Sequence, residues 1–228
     1  MAWTRRKTTQ LQSFERGGAS AVTYDLSQPH RITITIPNNS TWTSGPHWHE
    51  THDEYLQILQ GRASVRVGSQ VRELGPENGI VEAPRYTVHE WRRAVKPNSE
   101  TLVVREWTAP EDGQKEGFFR MLNSFLTEPQ AALLYQAPFA MPVWAERWIE
   151  GWIVPLQLFI VFQAWDNWPV LYGDDSGWIS WTATHFTLWV SSWAGSVLGL
   201  HGSYNQYIDK GALMRGSHHS RENKKTPP

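Results

Sequence analysis

Residues 46–54, Pro-His-Trp-His-Glu-Thr-His-Asp-Glu, crowd three imidazoles and three carboxylates into nine positions. A His-x-His spacing brings two rings together when the backbone is extended, because a period of two sends His47 and His49 to one face and Trp48 to the other. Two ring nitrogens then converge on one point, where a metal ion could sit. Glu54 lies five residues past His49, enough for a sharp turn through Thr51, His52 and Asp53 into a second strand. Along that strand Glu54, Leu56 and Ile58 share one face and Tyr55, Gln57 and Leu59 the other, and Gly61 permits the next turn. His52, inside the first turn, is expected to be solvated rather than catalytic.

A further imidazole, His89, follows Pro84 by five residues. The ordering Gly45, His47, His49, Glu54, Gly61, then Pro84 and His89, resembles the two-part signature of the cupin family (RmlC-like). The resemblance covers about residues 20–110 and implies a small antiparallel jelly-roll barrel in which His47, His49, Glu54 and His89 hold a divalent metal ion. It departs from the family where Tyr86 stands two residues after Pro84 in place of the usual Gly, and where Glu90-Trp91-Arg92-Arg93 replaces the Asn often found past the His. The competing reading makes these His polar core residues of a barrel that has lost its ion. Cupins host many chemistries, so the family implies a fold before it implies a reaction.

The 228 residues allow one domain or two small ones, and a barrel of this extent leaves over half the chain to other work. Lys plus Arg 21 against Asp plus Glu 22 gives no electrostatic reason to expect nucleic acid. With no Cys there is neither a disulfide scaffold nor a thiolate nucleophile, so any metal is held by N and O. Residues 1–10 are basic and polar with no apolar run behind them, which does not read as a secretory signal; an intracellular protein, cytoplasmic or membrane-associated, is expected.

Strict alternation marks a strand over residues 31–36, with Ile32, Ile34 and Ile36 on one face. A weaker strand falls within residues 14–26, broken at Gly17-Gly18, and four more are expected at 62–67, 79–83, 88–94 and 101–107. Many short strands without room for crossover helices suit a closed barrel or jelly roll. The expected fold is mainly β: a flexible arm over residues 1–20, a cupin barrel over 20–110, a Trp-rich helical extension over 111–209 and a disordered basic tail over 210–228.

Within the extension, Phe118, Met121, Leu122 and Phe125 fall on one face of a helix laid across the barrel. Fourteen residues are Trp, nine of them between Trp144 and Trp193. Trp144, Trp148 and Trp152 form one stripe before Pro155, which should limit or kink the helix; Trp178, Trp181, His185, Trp189 and Trp193 form a second. Residues 151–165 and 177–200 carry no charge. For the first stripe a buried or interfacial helix is expected; for the second, core packing is favoured over interfacial membrane contact and either over a full span, since Ser, Thr and His interrupt it and Trp belongs at bilayer interfaces. The run Leu198-Gly199-Leu200-His201-Gly202, with Tyr204 and Tyr207, resembles the tail of a group of small fungal cupins, implying a fungal source and small-molecule biosynthesis.

Three neutral imidazoles and one carboxylate suit Fe, Mn, Ni, Co or Zn alike, and four protein ligands leave open positions on an octahedral ion. Glu54 is the candidate catalytic base as well as a ligand. Leu56, Ile58, Ala63, Val65 and Trp91 are expected to make the pocket oily, which suits a small apolar or aromatic substrate and disfavours nucleotide sugars or phosphates. Non-redox chemistry (isomerisation, cyclisation, dehydration or decarboxylation) is favoured over a dioxygen-dependent oxygenase. A non-catalytic ligand-binding or membrane-associated barrel is the third reading, and a homodimer is open.

Overall fold

The computed structural model describes residues 5–94, 100–128, 142–172 and 177–209. The basic tail over 210–228 and the Pro138 end of the punctuated segment lie outside the described residues. The chain is mainly β, with two antiparallel sheets and three helices that follow the last long strand.

The strands among the described residues are β1 (Ser13–Arg16), β2 (Val22–Gln28), β3 (Arg31–Ile36), β4 (His47–Trp48), β5 (Asp53–Gln60), β6 (Ala63–Val67), β7 (Gln70–Leu74), β8 (Ile80–Ala83), β9 (His89–Arg93), β10 (Leu102–Ala109) and β11 (Trp168–Pro169). One sheet runs β1-β2-β3-β10-β5-β8 and the other β11-β4-β9-β6-β7. Their inner faces meet in one core, where Ile32, Ile34, Leu56, Ile58, Leu102 and Val104 face Ala63, Val65 and Trp91. The alternation read along residues 31–36 and 54–59 is realised, with Ile32, Ile34, Ile36, Glu54, Leu56 and Ile58 all buried. Each fully buried Ile contributes roughly 1.5–3 kcal/mol of apolar transfer. Gly61 (φ 75°) turns β5 into β6, and a Cβ there would lie 2.7 Å from the Thr101 carbonyl oxygen, so the turn excludes a side chain. The break at Gly17-Gly18 separates β1 from β2 as read. The β7 edge strand, closed onto β6 by a two-residue turn, went unread because its residues are largely exposed and its pattern polar.

Helix α1 (Gln114–Leu126) lies against β2, β3 and β10, as the apolar spacing required. Helix α2 (Val143–Ala164) runs through Pro155, whose missing N–H removes one helical donor without ending the helix. Helix α3 (Trp178–Val197) packs on α2, where Gly195 leaves room for Ile160. Gly117 does the same for the Trp165 ring on α1. Residues 201–209 return to the core through Tyr204, Tyr207 and Ile208, and the N-terminal segment is tied to them by the Thr8 N–H donating to the Gln206 carbonyl at 2.9 Å.

Core packing of the second Trp stripe, the favoured expectation, is overturned, and the first stripe is not buried either. Trp144, Trp148, Trp152, Trp178, Trp181, Trp189 and Trp193 are all exposed, while α3 buries Ser180, Thr184, Leu188, Ser191 and Gly195. The small residues allow close helix contact; Trp181 stacks on His185 and donates to Glu50 yet stays half exposed. No described helix is long and apolar enough to cross a membrane.

Candidate metal centre

Two sheets bring the four sequence-marked residues together. Pairing of β4 with β9 sets His47 directly opposite His89, and their rings approach to 4.3 Å between centroids. His49 follows β4, and Glu54 reaches in from β5 of the other sheet. All four side chains are buried, and one ligand atom from each lies within 4.8 Å of all the others. His49 Nε2 is 2.8 Å from Glu54 Oε2, His47 Nε2 is 3.9 Å from the same oxygen, and His89 Nε2 is 3.5 Å from Glu54 Oε1.

The opposite ring nitrogens are occupied. His47 Nδ1 faces the Gly45 carbonyl at 2.8 Å and His89 Nδ1 the Thr87 carbonyl at 2.9 Å, while His49 Nδ1 contacts the Asp166 carbonyl. A carbonyl only accepts, so each Nδ1 carries the proton and each Nε2 turns its lone pair into the cluster. Metal-bound imidazoles are oriented in this way. Burial holds the His47 imidazole down at about 3, helped by the neighbouring His89, and burial likewise lowers His49.

Two contacts test the fit of a cation. His49 meets an acceptor at both ring nitrogens although burial keeps it neutral, so its contact with Glu54 lacks a hydrogen. His89 Nε2 is buried with no hydrogen-bond partner. A divalent ion held by the four side chains satisfies both, and the N/O donor set is one that such ions accept.

Sequence reasoning missed three residues around this cluster. Lys115, on the first turn of α1, is buried and donates to Glu54 Oε2. Burial opposes the ammonium, but the Glu106 and Glu54 carboxylates outweigh it and keep Lys115 charged. Burial also pushes the Glu54 carboxyl up, yet the Lys115 ammonium holds it well below the usual carboxylate range. Glu106 on β10 accepts from Trp91 Nε1 at 2.7 Å, its other oxygen has no partner, and burial pushes it up to about 8. The third is Asp166, between α2 and β11. Its carboxylate takes the backbone N–H of Glu50 (2.9 Å) and Thr51 (3.0 Å), the Thr51 hydroxyl, Trp168 Nε1 and His52 Nδ1 (2.8 Å).

His52 is therefore not solvated, as its place in a turn suggested. It is buried between Asp166 and Asp112, whose carboxylate lies 3.2 Å from Nε2. Burial opposes its charge, but the two carboxylate hydrogen bonds win and raise it to about 9. The imidazolium fastens the turn between His49 and Glu54 to the helical extension.

Beside the cluster lies a cavity of about 230 Å³ between the barrel and the first two helices. His47, Glu106, Lys115 and Asn167 mark its polar end; Tyr24, Phe118, Phe119, Leu122, Leu158 and Phe162 form its walls, and Arg16 also lines it. None of the residues expected to make the pocket oily lines this cavity, but Leu56, Val65 and Trp91 border a small void together with Glu54 and His89 themselves. The cavity is apolar-walled but carries two cations that the sequence reading did not place there.

No protein-family model and no curated protein matches the chain. Among solved structures, KdgF from Halomonas sp. is similar over 42% of this chain and 84% of its own, with 22% identity and a TM-score of 0.32. A cupin 2 conserved barrel domain protein from Rhodopseudomonas palustris is similar over 42% of this chain and 70% of its own, with 15% identity and a TM-score of 0.34. The capsular polysaccharide assembling protein CapF from Staphylococcus aureus is similar over 42% of this chain and only 28% of its own, with 16% identity and a TM-score of 0.34.

Proposed function

We propose that this chain is a metal-dependent cupin enzyme acting on a small, largely apolar metabolite by non-redox chemistry such as isomerisation, cyclisation, dehydration or decarboxylation. The observation that carries the reading is the convergence of three Nε2 lone pairs, each fixed by a carbonyl at Nδ1, on one buried carboxylate. His47, His49, Glu54 and His89 would hold a divalent ion, which when bound supplies polarisation of a substrate oxygen or a more acidic water. Glu54, kept ionised by Lys115, is the candidate proton acceptor, at Oε1, the oxygen that Lys115 leaves free. Tyr24 and the α1 phenylalanines orient an apolar body and exclude water. The test is turnover of a panel of aromatic and apolar metabolites by zinc-loaded protein under argon. Activity there supports non-redox chemistry; strict dependence on iron and dioxygen favours the oxygenase. The narrower RmlC-like, fungal and biosynthetic reading belongs to the same proposal and rests on the sequence resemblance alone.

The exposed Trp face supports a second role, peripheral contact with a membrane. Helix α3 turns its small and hydroxyl side chains inward and Trp178, Ile179, Phe186, Trp189, Trp193 and Val197 outward, the reverse of a water-facing helix. No charge interrupts residues 177–208. Exposed indoles on an uncharged stretch of chain suit the boundary between headgroups and acyl chains.

A further inference from the structure

We propose that the cavity beside the metal cluster takes an organic carboxylate, one anionic group on a single-ring or comparably compact apolar body, whose charge is met by Lys115. The inference deepens the metalloenzyme reading and rests on it. With a divalent ion in place, the buried set of ion, Glu54 and Lys115 carries surplus positive charge whether or not Glu106 is ionised. Such a surplus is costly in a desolvated site and is relieved by an incoming anion. Lys115 has three donor hydrogens and spends one, on Glu54. The other two remain for a ligand.

The cavity itself states the rest of the ligand. Two of its lining residues carry buried polar atoms without a partner: Arg16 Nε, a donor that an incoming anion would satisfy, and Glu106 Oε2, which can meet an anion only as the protonated acid. Phe118, Phe119 and Phe162 offer flat apolar surface for a ring. A cavity of about 230 Å³ exceeds the roughly 150 Å³ that accommodates benzene, leaving room for a ring and one substituent group. A phosphate ester is disfavoured, because it would bring a second charge and three acceptor oxygens to a lining with only Lys115 and Arg16 as fixed cations.

The experiment uses cobalt(II)-loaded full-length protein with benzoate and its neutral isostere benzamide as probes, read by the visible cobalt spectrum and by calorimetry. Wild type should bind benzoate about tenfold or more tightly than benzamide. Lys115→Met should erase that preference while cobalt stoichiometry stays unchanged, and Lys115→Gln covers the case in which the Met variant does not fold. Equal affinity of wild type for the two probes, or a preference that survives in both variants, overturns the assignment and leaves the metal site standing. Failure of wild type to take up cobalt overturns both readings at once.

Discussion

Asp166 lends its main-chain carbonyl to His49 Nδ1 from 117 residues away, while its carboxylate grips the turn that separates His49 from Glu54. The helical extension is thus part of the centre's outer shell. Asp166→Ala removes five hydrogen bonds to the carboxylate and leaves His52 with one carboxylate instead of two. Metal affinity should fall by about 10–100-fold, the usual effect of losing such a support. Asp166→Asn, which can still accept hydrogen bonds, should lose less. Competition with a chelating dye measures both, and an unchanged affinity in the Ala variant would show that the turn holds itself.

Lys115 and Glu54 form a buried ion pair. Lys115→Met should destabilise the metal-free protein by about 3–5 kcal/mol, because it strands a buried carboxylate. Adding a divalent ion should restore most of the loss, since the ion replaces the missing charge. Thermal melts with and without zinc decide; a metal-free variant as stable as wild type would mean that Glu54 is not charged in the folded protein.

Stability should also respond to alkali through His52. Its folded value, about 9, lies above the unfolded value of 6.5, so its contribution is complete below 6.5 and is lost as pH rises through 9. The loss should amount to a few kcal/mol. Asp112, held low by the His52 contact against its own burial, works at the other end: its share is present above 3.8 and disappears in stronger acid. Urea titrations of wild type and His52→Asn between pH 6 and 10 should converge as pH rises; parallel curves would contradict the pairing.

How much of this was legible in the sequence follows from where its signals are local. The period of two in residues 31–36 and 54–59 encodes both strand and facing, and the His-x-His spacing encodes two ligands at once. Glu106 was readable too, in line with Leu102 and Val104 on the inward face of β10, and so was Lys115, one helical turn before Phe118 on the apolar face of α1. Asp166 is the one charge within residues 151–173, a signal for a buried structural role. What the Trp stripe by itself does not carry is that α3 faces outward. A stripe of Trp has the same period whether it points to a core or away from it, and the deciding feature was the complementary stripe of Ser180, Thr184, Ser191 and Gly195.

If the outward stripe meets a bilayer, the full chain should co-sediment with phosphatidylcholine vesicles, and acrylamide quenching of its Trp fluorescence should drop on binding. Trp189→Ser with Trp193→Ser should weaken sedimentation about tenfold or more, given roughly 25 cal/mol per Å² of lost apolar contact. A chain that ignores vesicles but doubles its mass in solution would assign the face to a second copy instead.

The most direct measurement is elemental analysis of protein purified without chelator and offered Fe, Mn, Ni, Co and Zn, beside the His47→Ala/His49→Ala double variant. The expected result is about one divalent ion per wild-type chain and close to none in the variant, as a site of three imidazoles and a carboxylate requires. Wild-type protein that binds none of the five in stoichiometric amount would contradict the metal centre, and with it the enzyme built around it.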